Sequence, residues 1–188
     1  TREDSHQPFG WMVEARALRV ALNARLHAMP GGTVFAPGEA KVVRKTVGVD
    51  IQLTTGQSFG ASLVVAADGR NSRLRSEAAI PLTKLSYGQT AIVCAIAHEF
   101  PHNNRAFEHF LPAGPFAQLP MTGTDKHPHL SAIVWRDKDT FAKRCVGLPN
   151  DVLAREVERR AGRNRLGKVT PLGRRWMYPL SAQYAQRY

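Results

Sequence analysis

Apolar residues recur at helical spacing early in the chain. Val13, Leu18, Leu22, Leu26 and Met29 share one side of a helix over residues 11–29, Arg16, Arg19 and Arg25 point elsewhere, and Pro30-Gly31-Gly32 ends it. The period then falls to two. Short strand signals cover Thr33–Ala36, Val42–Thr46 and Val47–Thr54. In the last, Val47, Val49, Ile51 and Leu53 alternate with Gly48, Asp50, Gln52 and Thr54, as in a half-buried antiparallel strand. Thr55-Gly56-Gln57 is a turn. Ser62–Ala67 is instead continuously apolar and ends in Asp68-Gly69, which reads as a strand buried on both faces.

The character changes after Pro81. Strand signals follow at Thr90–Ala97, Arg105–Leu111, Phe116–Met121 and Leu130–Trp135, with a Pro/Gly corner at residues 112–115. Phe141–Arg144 and Val152–Ala161 read as helices, the second stopped by Gly162, and Trp176–Leu180 reads as extended. No internal repeat or low-complexity segment occurs. The pattern predicts a mixed α+β or α/β chain with a boundary near Ile80–Pro81, an antiparallel sheet with helices forming the second part.

Composition narrows the function classes. The chain has 188 residues, 43% of them apolar, enough for a sizeable core without cross-links. Two cysteines, Cys94 and Cys145, exclude a disulfide scaffold and favour a reducing, cytoplasmic compartment. No apolar run approaches the ~18 residues of a membrane span, and TREDSHQPFG does not read as a signal segment. The net charge is +11. Residues 155–188 hold nine basic and two acidic residues, so +7 of it is C-terminal. That segment is either a solvated helix face and polar loop, or a basic module, Arg155–Arg175, for anionic lipid or nucleic acid. No ladder of stacking aromatics accompanies the arginines, so nucleic acid is not an expected partner.

The segment LVVAADGRNSRLRSEAAI, residues 63–80, carries the most chemistry. In α/β sheets ligands bind at the carboxyl ends of strands, where Asp68-Gly69 falls. Gly69 permits a sharp turn and close approach, Asp68 offers a carboxylate to sugar hydroxyls, and Asn71 or Ser72 can cap the next helix, leaving its first N–H groups for an anion. Arg73 and Arg75 add charge suited to phosphate. These residues describe either a nucleotide-diphosphate site or an ordinary capped turn.

The small apolar residues followed by Asp68-Gly69, Ser72 and Arg75 resemble the Asp-Gly motif of flavin-dependent aromatic hydroxylases. FGWMVEARALRVAL resembles the preceding helix in the ubiquinone-biosynthesis hydroxylases. Residues 87–121, YGQTAIVCAIAHEFPHNNRAFEHFLPAGPFAQLPM, resemble their substrate-domain sheet, and Tyr178-Pro179-Leu180 the approach to their final flavin motif. The nearest subfamily is that of the 2-polyprenyl-6-methoxyphenol hydroxylases. The resemblance implies a partial FAD-binding domain over residues 1–80, a substrate domain over 81–180, and a return toward the FAD domain over 181–188. It implies FAD and NAD(P)H as cofactors, served by Asp68, Gly69, Ser72 and Arg75. It implies a polyprenyl phenol as substrate, with Phe116, Leu119, Pro120 and Met121 along the ring site. The reaction is then hydroxylation of an electron-rich ring with O2, and no acid–base triad is called for. A polyprenyl substrate further implies peripheral contact with the inner membrane or with a biosynthetic complex.

Two family elements do not occur in these residues: an N-terminal GxGxxG and a Gly-Asp motif. The expectation is therefore a central segment of the enzyme that is inactive by itself. Ala15 stands where relatives often carry an amide. The histidine groups His98, His102, His109 and His127, His129 lack metal-site spacing, and no metal is expected. Cys94 reads as a buried small hydrophobe, and Cys145 has no base to activate it.

Overall fold

The computed structural model describes residues 10–162 and 165–187, in two compact units. One comprises residues 13–83 with the residues from Tyr184 onward, and the other residues 84–183 with those up to Met12. Expectations for residues 1–9, for Arg163 and Asn164, and for Tyr188 lie outside the described residues.

The first unit opens with α1 (Ala15–His27), whose last turn carries Arg25 and His27 where basic charge suits the helix dipole. None of its residues is buried. A three-stranded antiparallel meander follows: β1 (Ala40–Arg44), β2 (Val49–Leu53) and β3 (Ser58–Ala61), in that spatial order. Val42 pairs with Ile51 and Ile51 with Phe59, and Lys45 meets Asp50 at 2.5 Å across the first hairpin. The helix α2 (Arg73–Glu77) ends the unit's regular structure.

Two expected strands do not form here. Thr33–Ala36 is irregular, because no neighbouring strand takes up its backbone groups. Ser62–Ala67 is irregular too, with Leu63 and Val65 each 76% exposed. A strand buried on both faces needs partners on either side, and the meander is complete at β3. The Ala67 N–H turns back locally onto the Val65 carbonyl at 3.1 Å.

The second unit is a five-stranded sheet under two helices, giving the chain its mixed α+β character. The elements are β4 (Leu82–His98), β5 (Phe107–Leu111), β6 (Gly114–Met121), β7 (Leu130–Lys138), α3 (Asp139–Val146), α4 (Asn150–Ala161) and β8 (Val169–Ala185). Their order in the sheet is β5-β6-β7-β4-β8. Ile92 opposes Trp135, and Trp135 opposes Phe116, so strand alternation sorts every side chain onto one of two faces. Ile92, Cys94, Ile96, Phe116, Ile133 and Trp135 form the core with Ala142, Cys145, Leu153 and Val157 of the helices. At the β5–β6 turn Gly114 has φ +142°, and a Cβ there would lie 2.6 Å from the Arg136 carbonyl oxygen. Only glycine lets that hairpin close so tightly onto β7.

Candidate functional site

The Asp68-Gly69 turn brings its four expected residues together. Ser72 is buried, and its hydroxyl accepts the Arg75 N–H at 3.0 Å as the N-cap of α2. The Asp68 carboxylate accepts the Leu74 N–H at 3.3 Å. A hydrogen bond from Ser72, aided by backbone N–H groups, holds the Asp68 carboxyl below its ordinary range. The N–H groups expected to be left for an outside anion are therefore taken by the turn's own oxygens. What stays open is Gly69, at φ +82° with free space where a Cβ would stand, and the half-buried Arg75, which donates to the Arg70 carbonyl at 3.1 Å. Arg73 is occupied: it pairs with Glu77 and with Glu39, each at 3.2 Å, and donates to the Ala40 carbonyl. It ties the turn to β1.

A groove of about 1100 Å³ runs past this turn within the same unit. Arg44, Val64, Gly69, Ser72, Leu74 and Arg75 contribute to its wall, a mixture of apolar surface and positive charge. The donor set fits one side of a seat for a dinucleotide diphosphate. Gly69 allows close backbone approach, and Arg75 supplies the charge.

The four residues expected at a ring site all lie on β6, but strand geometry divides them. Phe116 is fully buried against Trp135 with ring centroids 6.2 Å apart, so it belongs to the helix-covered core and lines no open surface. Pro120 shares its face. Leu119 and Met121 point to the other face, away from α3 and α4. There they join Ala117, Val93, Ala95, Ala132 and Val134, all partly exposed, in a shelf of small and medium apolar side chains.

Six arginines of the basic C-terminal segment have partners among the described residues. Arg160 lies with its guanidinium carbon 3.8 Å from the Trp135 ring centroid, pairs with Asp137 at 3.5 Å, and bonds Glu156. Arg175 caps the carbonyls that end α3, including Val146 at 2.9 Å. Arg155 pairs with Asp151 at 3.0 Å and Arg159 with Glu156 at 2.9 Å. Arg165 covers Phe107 and Arg174 covers Trp176. These contacts give the basic-module alternative no support: Arg160, Arg165, Arg174 and Arg175 pack on rings or carbonyls, and Arg155 and Arg159 pair with carboxylates of their own helix.

Sequence reading passed over two features. His98 is buried, with Nδ1 bonded to the Phe100 carbonyl at 2.7 Å and Nε2 to the Ser131 hydroxyl at 2.9 Å, while Gln118 donates to Ser131 at 3.1 Å. Its partners lie up to 33 positions away, so only the fold reveals the network. Arg136 is the second, a polar residue on the face of Leu119 and Met121, which Glu108 shares opposite Ala117; its alternation with Trp135 and Asp137 was the available signal. No group of three metal-ligating side chains occurs among the described residues, and no helix there is long and apolar enough to cross a membrane. Burial pushes the Cys94 and Cys145 thiols up to about 11, so neither is a ready nucleophile.

No family model matches the chain. It is 44% identical over 186 residues to the ubiquinone hydroxylase UbiL of Rhodospirillum rubrum, covering 98% of this chain and 42% of that protein. It is 29% identical over 180 residues to the 3-demethoxyubiquinol 3-hydroxylase of Escherichia coli, covering 95% of the chain and 44% of that protein. It is 30% identical over 161 residues to the human ubiquinone biosynthesis monooxygenase COQ6, covering 79% and 33%. The chain thus spans less than half the length of these relatives. Among solved structures, the flavin-dependent monooxygenase PieE with FAD and substrate superimposes with a TM-score of 0.65 at 13% identity, over 94% of this chain and 32% of that one. The FAD-dependent monooxygenase pqsL of Pseudomonas aeruginosa does so with 0.64 at 15%, over 84% and 46%. Those two likenesses show the fold, and the resemblance to ubiquinone-biosynthesis hydroxylases holds along nearly the whole chain.

Proposed function

We propose that this chain, similar to ubiquinone-biosynthesis hydroxylases through nearly its full length, is part of an FAD-dependent monooxygenase that hydroxylates the ring of a polyprenyl phenol. The observation that carries the reading is the 44% identity to a ubiquinone hydroxylase over 98% of the chain. FAD, when bound, supplies the activation of O2 with electrons from NAD(P)H. The chain's own residues bind and orient. Gly69 admits a diphosphate to the turn, Arg75 balances its charge, and Ser72 with Asp68 fixes the turn that presents both. The shelf around Leu119 and Met121 takes the flat face of a phenolic ring and excludes water from it, while Phe116 holds the strand from beneath. The polyprenyl tail places the work at a membrane surface, which a protein reaches peripherally without a spanning helix.

The test is genetic and chemical. The gene that carries this segment is expressed whole in bacterial strains, each blocked at one ring hydroxylation of ubiquinone synthesis, and quinones are identified by mass spectrometry. Restored ubiquinone in one strain is the expected result. Continued accumulation of the unhydroxylated intermediate in every strain overturns the reading.

A further inference from the structure

Three imidazoles stack where β4 ends. The His98 and His102 ring centroids lie 5.8 Å apart, and those of His98 and His129 6.1 Å apart. Each ring is turned onto a backbone carbonyl: His98 Nδ1 onto Phe100 at 2.7 Å, His129 Nδ1 onto Glu99 at 2.9 Å, and His102 Nε2 onto Met121 at 3.2 Å. A carbonyl can only accept, so each of these nitrogens carries a hydrogen. Together they fasten residues 99–106, the segment between β4 and the edge strand β5, to the end of the sheet.

The other nitrogen of His102 fixes its charge. Nδ1 accepts the Asn104 N–H at 3.0 Å, so it is bare and the ring is neutral. That bond supports a demanding turn. Asn103 and Asn104 have φ of +51° and +56°, and the Arg105 N–H returns to the His102 carbonyl at 3.0 Å. Two successive left-handed residues need local support, even where asparagine tolerates the region better than most. His98 also suits the neutral form. Its Nε2 faces the Ser131 hydroxyl at 2.9 Å, and Ser131, fully buried, receives the Gln118 amide N–H at 3.1 Å. With His98 neutral, the hydroxyl gives its hydrogen to Nε2. With His98 protonated, Nε2 becomes a donor and the buried hydroxyl hydrogen loses its acceptor. No carboxylate pairs with any of the three rings among the described residues. Glu99 is the nearest in sequence, and its carboxylate accepts the Lys168 N–H at 3.0 Å. The other charged or titratable side chains on the segments that meet here are Arg105 on the turn, Arg165 and Lys168 beyond Glu99, and Asp125, Lys126 and His127 on the loop before His129. None of them bonds an imidazole.

We propose that His102, His98 and His129 form a proton-operated latch on residues 99–106, closed while His102 is neutral and released when it takes up a proton. The proton comes from solvent and adds to Nδ1, and no other covalent bond changes. A protonated Nδ1 meets the Asn104 N–H donor to donor, so that bond is lost and the left-handed turn loses its support. Charge on the stack adds repulsion between rings about 6 Å apart, and opening relieves it. Histidine is the side chain whose charge ordinarily changes between about pH 5 and 8. Acid therefore frees the approach to β5 while the core beneath the sheet stays packed.

The test is an NMR titration of the 188-residue chain from about pH 7.5 to about 5. It reads the imidazole ring protons, and amide exchange corrected for its intrinsic pH dependence. Exchange at Asn104 and Arg105 is expected to rise about tenfold in step with protonation of His102, while Ile96 and Ile133 stay protected. His102→Asn places a side-chain oxygen that does not titrate within reach of the same N–H, as in an Asx-turn, and is expected to keep the turn closed throughout. An Asn104 amide that stays protected in the wild type, an equal rise in His102→Asn, or loss of protection at Ile133 in the same step overturns the latch. If His102→Asn does not form the turn at the start of the titration, the wild type decides: opening in step with His102 protonation supports the latch, and opening out of step overturns it.

Discussion

Beneath the sheet of residues 84–183, Ile92, Phe116, Trp135, Leu153 and Val157 are each exposed by 1% or less. In residues 13–83, Ser72 is the one buried side chain among the described residues. Both units have regular elements: α1 runs for 13 residues, and β1–β3 pair in register. The difference lies in what the elements face. On α1, Leu18, Leu22 and Leu26 recur at helical spacing yet are 49%, 59% and 41% exposed. Periodicity reports that a face is apolar; it does not report what covers the face. One unit therefore buries a core of packed side chains, and in the other the contacts are mainly local hydrogen bonds, a cap and exposed ion pairs.

The sharpest way to break that contrast is through Arg160. Its side chain and that of Asp137 are both nearly buried, and its guanidinium stacks on Trp135. Arg160→Ala leaves Asp137 charged and without its cation, which costs about 3–5 kcal/mol. Trp135→Ala opens a cavity in the same place and costs about 3–5 kcal/mol. Urea unfolding of each variant, followed by circular dichroism, measures both. Losses under about 1 kcal/mol would mean that the helix-covered core is not what holds this unit.

The same contrast explains which elements were legible in the sequence. Residues 84–183 supply their own partners, so the runs at Thr90–Ala97, Phe116–Met121 and Leu130–Trp135 predict strands that form, and Val152–Ala161 predicts a helix that forms. Ser62–Ala67 has the right composition for a strand but no neighbour to pair with. The Asp68 turn was legible because cap, glycine and carboxylate act within seven positions. The division of Phe116 from Leu119 and Met121 was legible in principle, since a strand's period is two. Which of the two faces the helices cover was not, because that depends on α3 and α4 returning from later in the chain. The uses of Arg160 and Arg175 were hidden for the same reason: charge runs report composition, not partners.

A pH effect of intermediate size separates the units further. Burial holds the His98 imidazole below its ordinary value, with His102 and His129 adding repulsion and the Phe100 carbonyl opposing them. The folded state therefore binds the proton less readily than the unfolded chain. The unit's stability is complete above the unfolded value of about 6.5 and falls as pH drops below it toward the folded value. Urea midpoints of the second unit, taken at steps between pH 7.5 and about 5, should decline on the acid side. His98→Gln should flatten that slope. A slope unchanged in the variant would assign the effect to other groups. In the first unit the comparable perturbation is smaller and local: Ser72→Ala removes the α2 cap, worth about 1 kcal/mol, and amide exchange at Arg75 should rise about fivefold.

The smallest expected effect bears most directly on the comparison. Leu22→Ala removes a large apolar side chain from α1, a change that costs about 2–5 kcal/mol when the residue is buried. Here Leu22 is 59% exposed, and alanine is the better helix former, so the two contributions nearly cancel. The expected change is within about 0.5 kcal/mol, read from amide exchange along α1. A loss near 2 kcal/mol would mean that the α1 face is covered in solution. If that loss depended on protein concentration, the cover would be a second copy, because only association makes stability follow mass action. If it did not, α1 would pack within its own chain, and the first unit would share the architecture of the second.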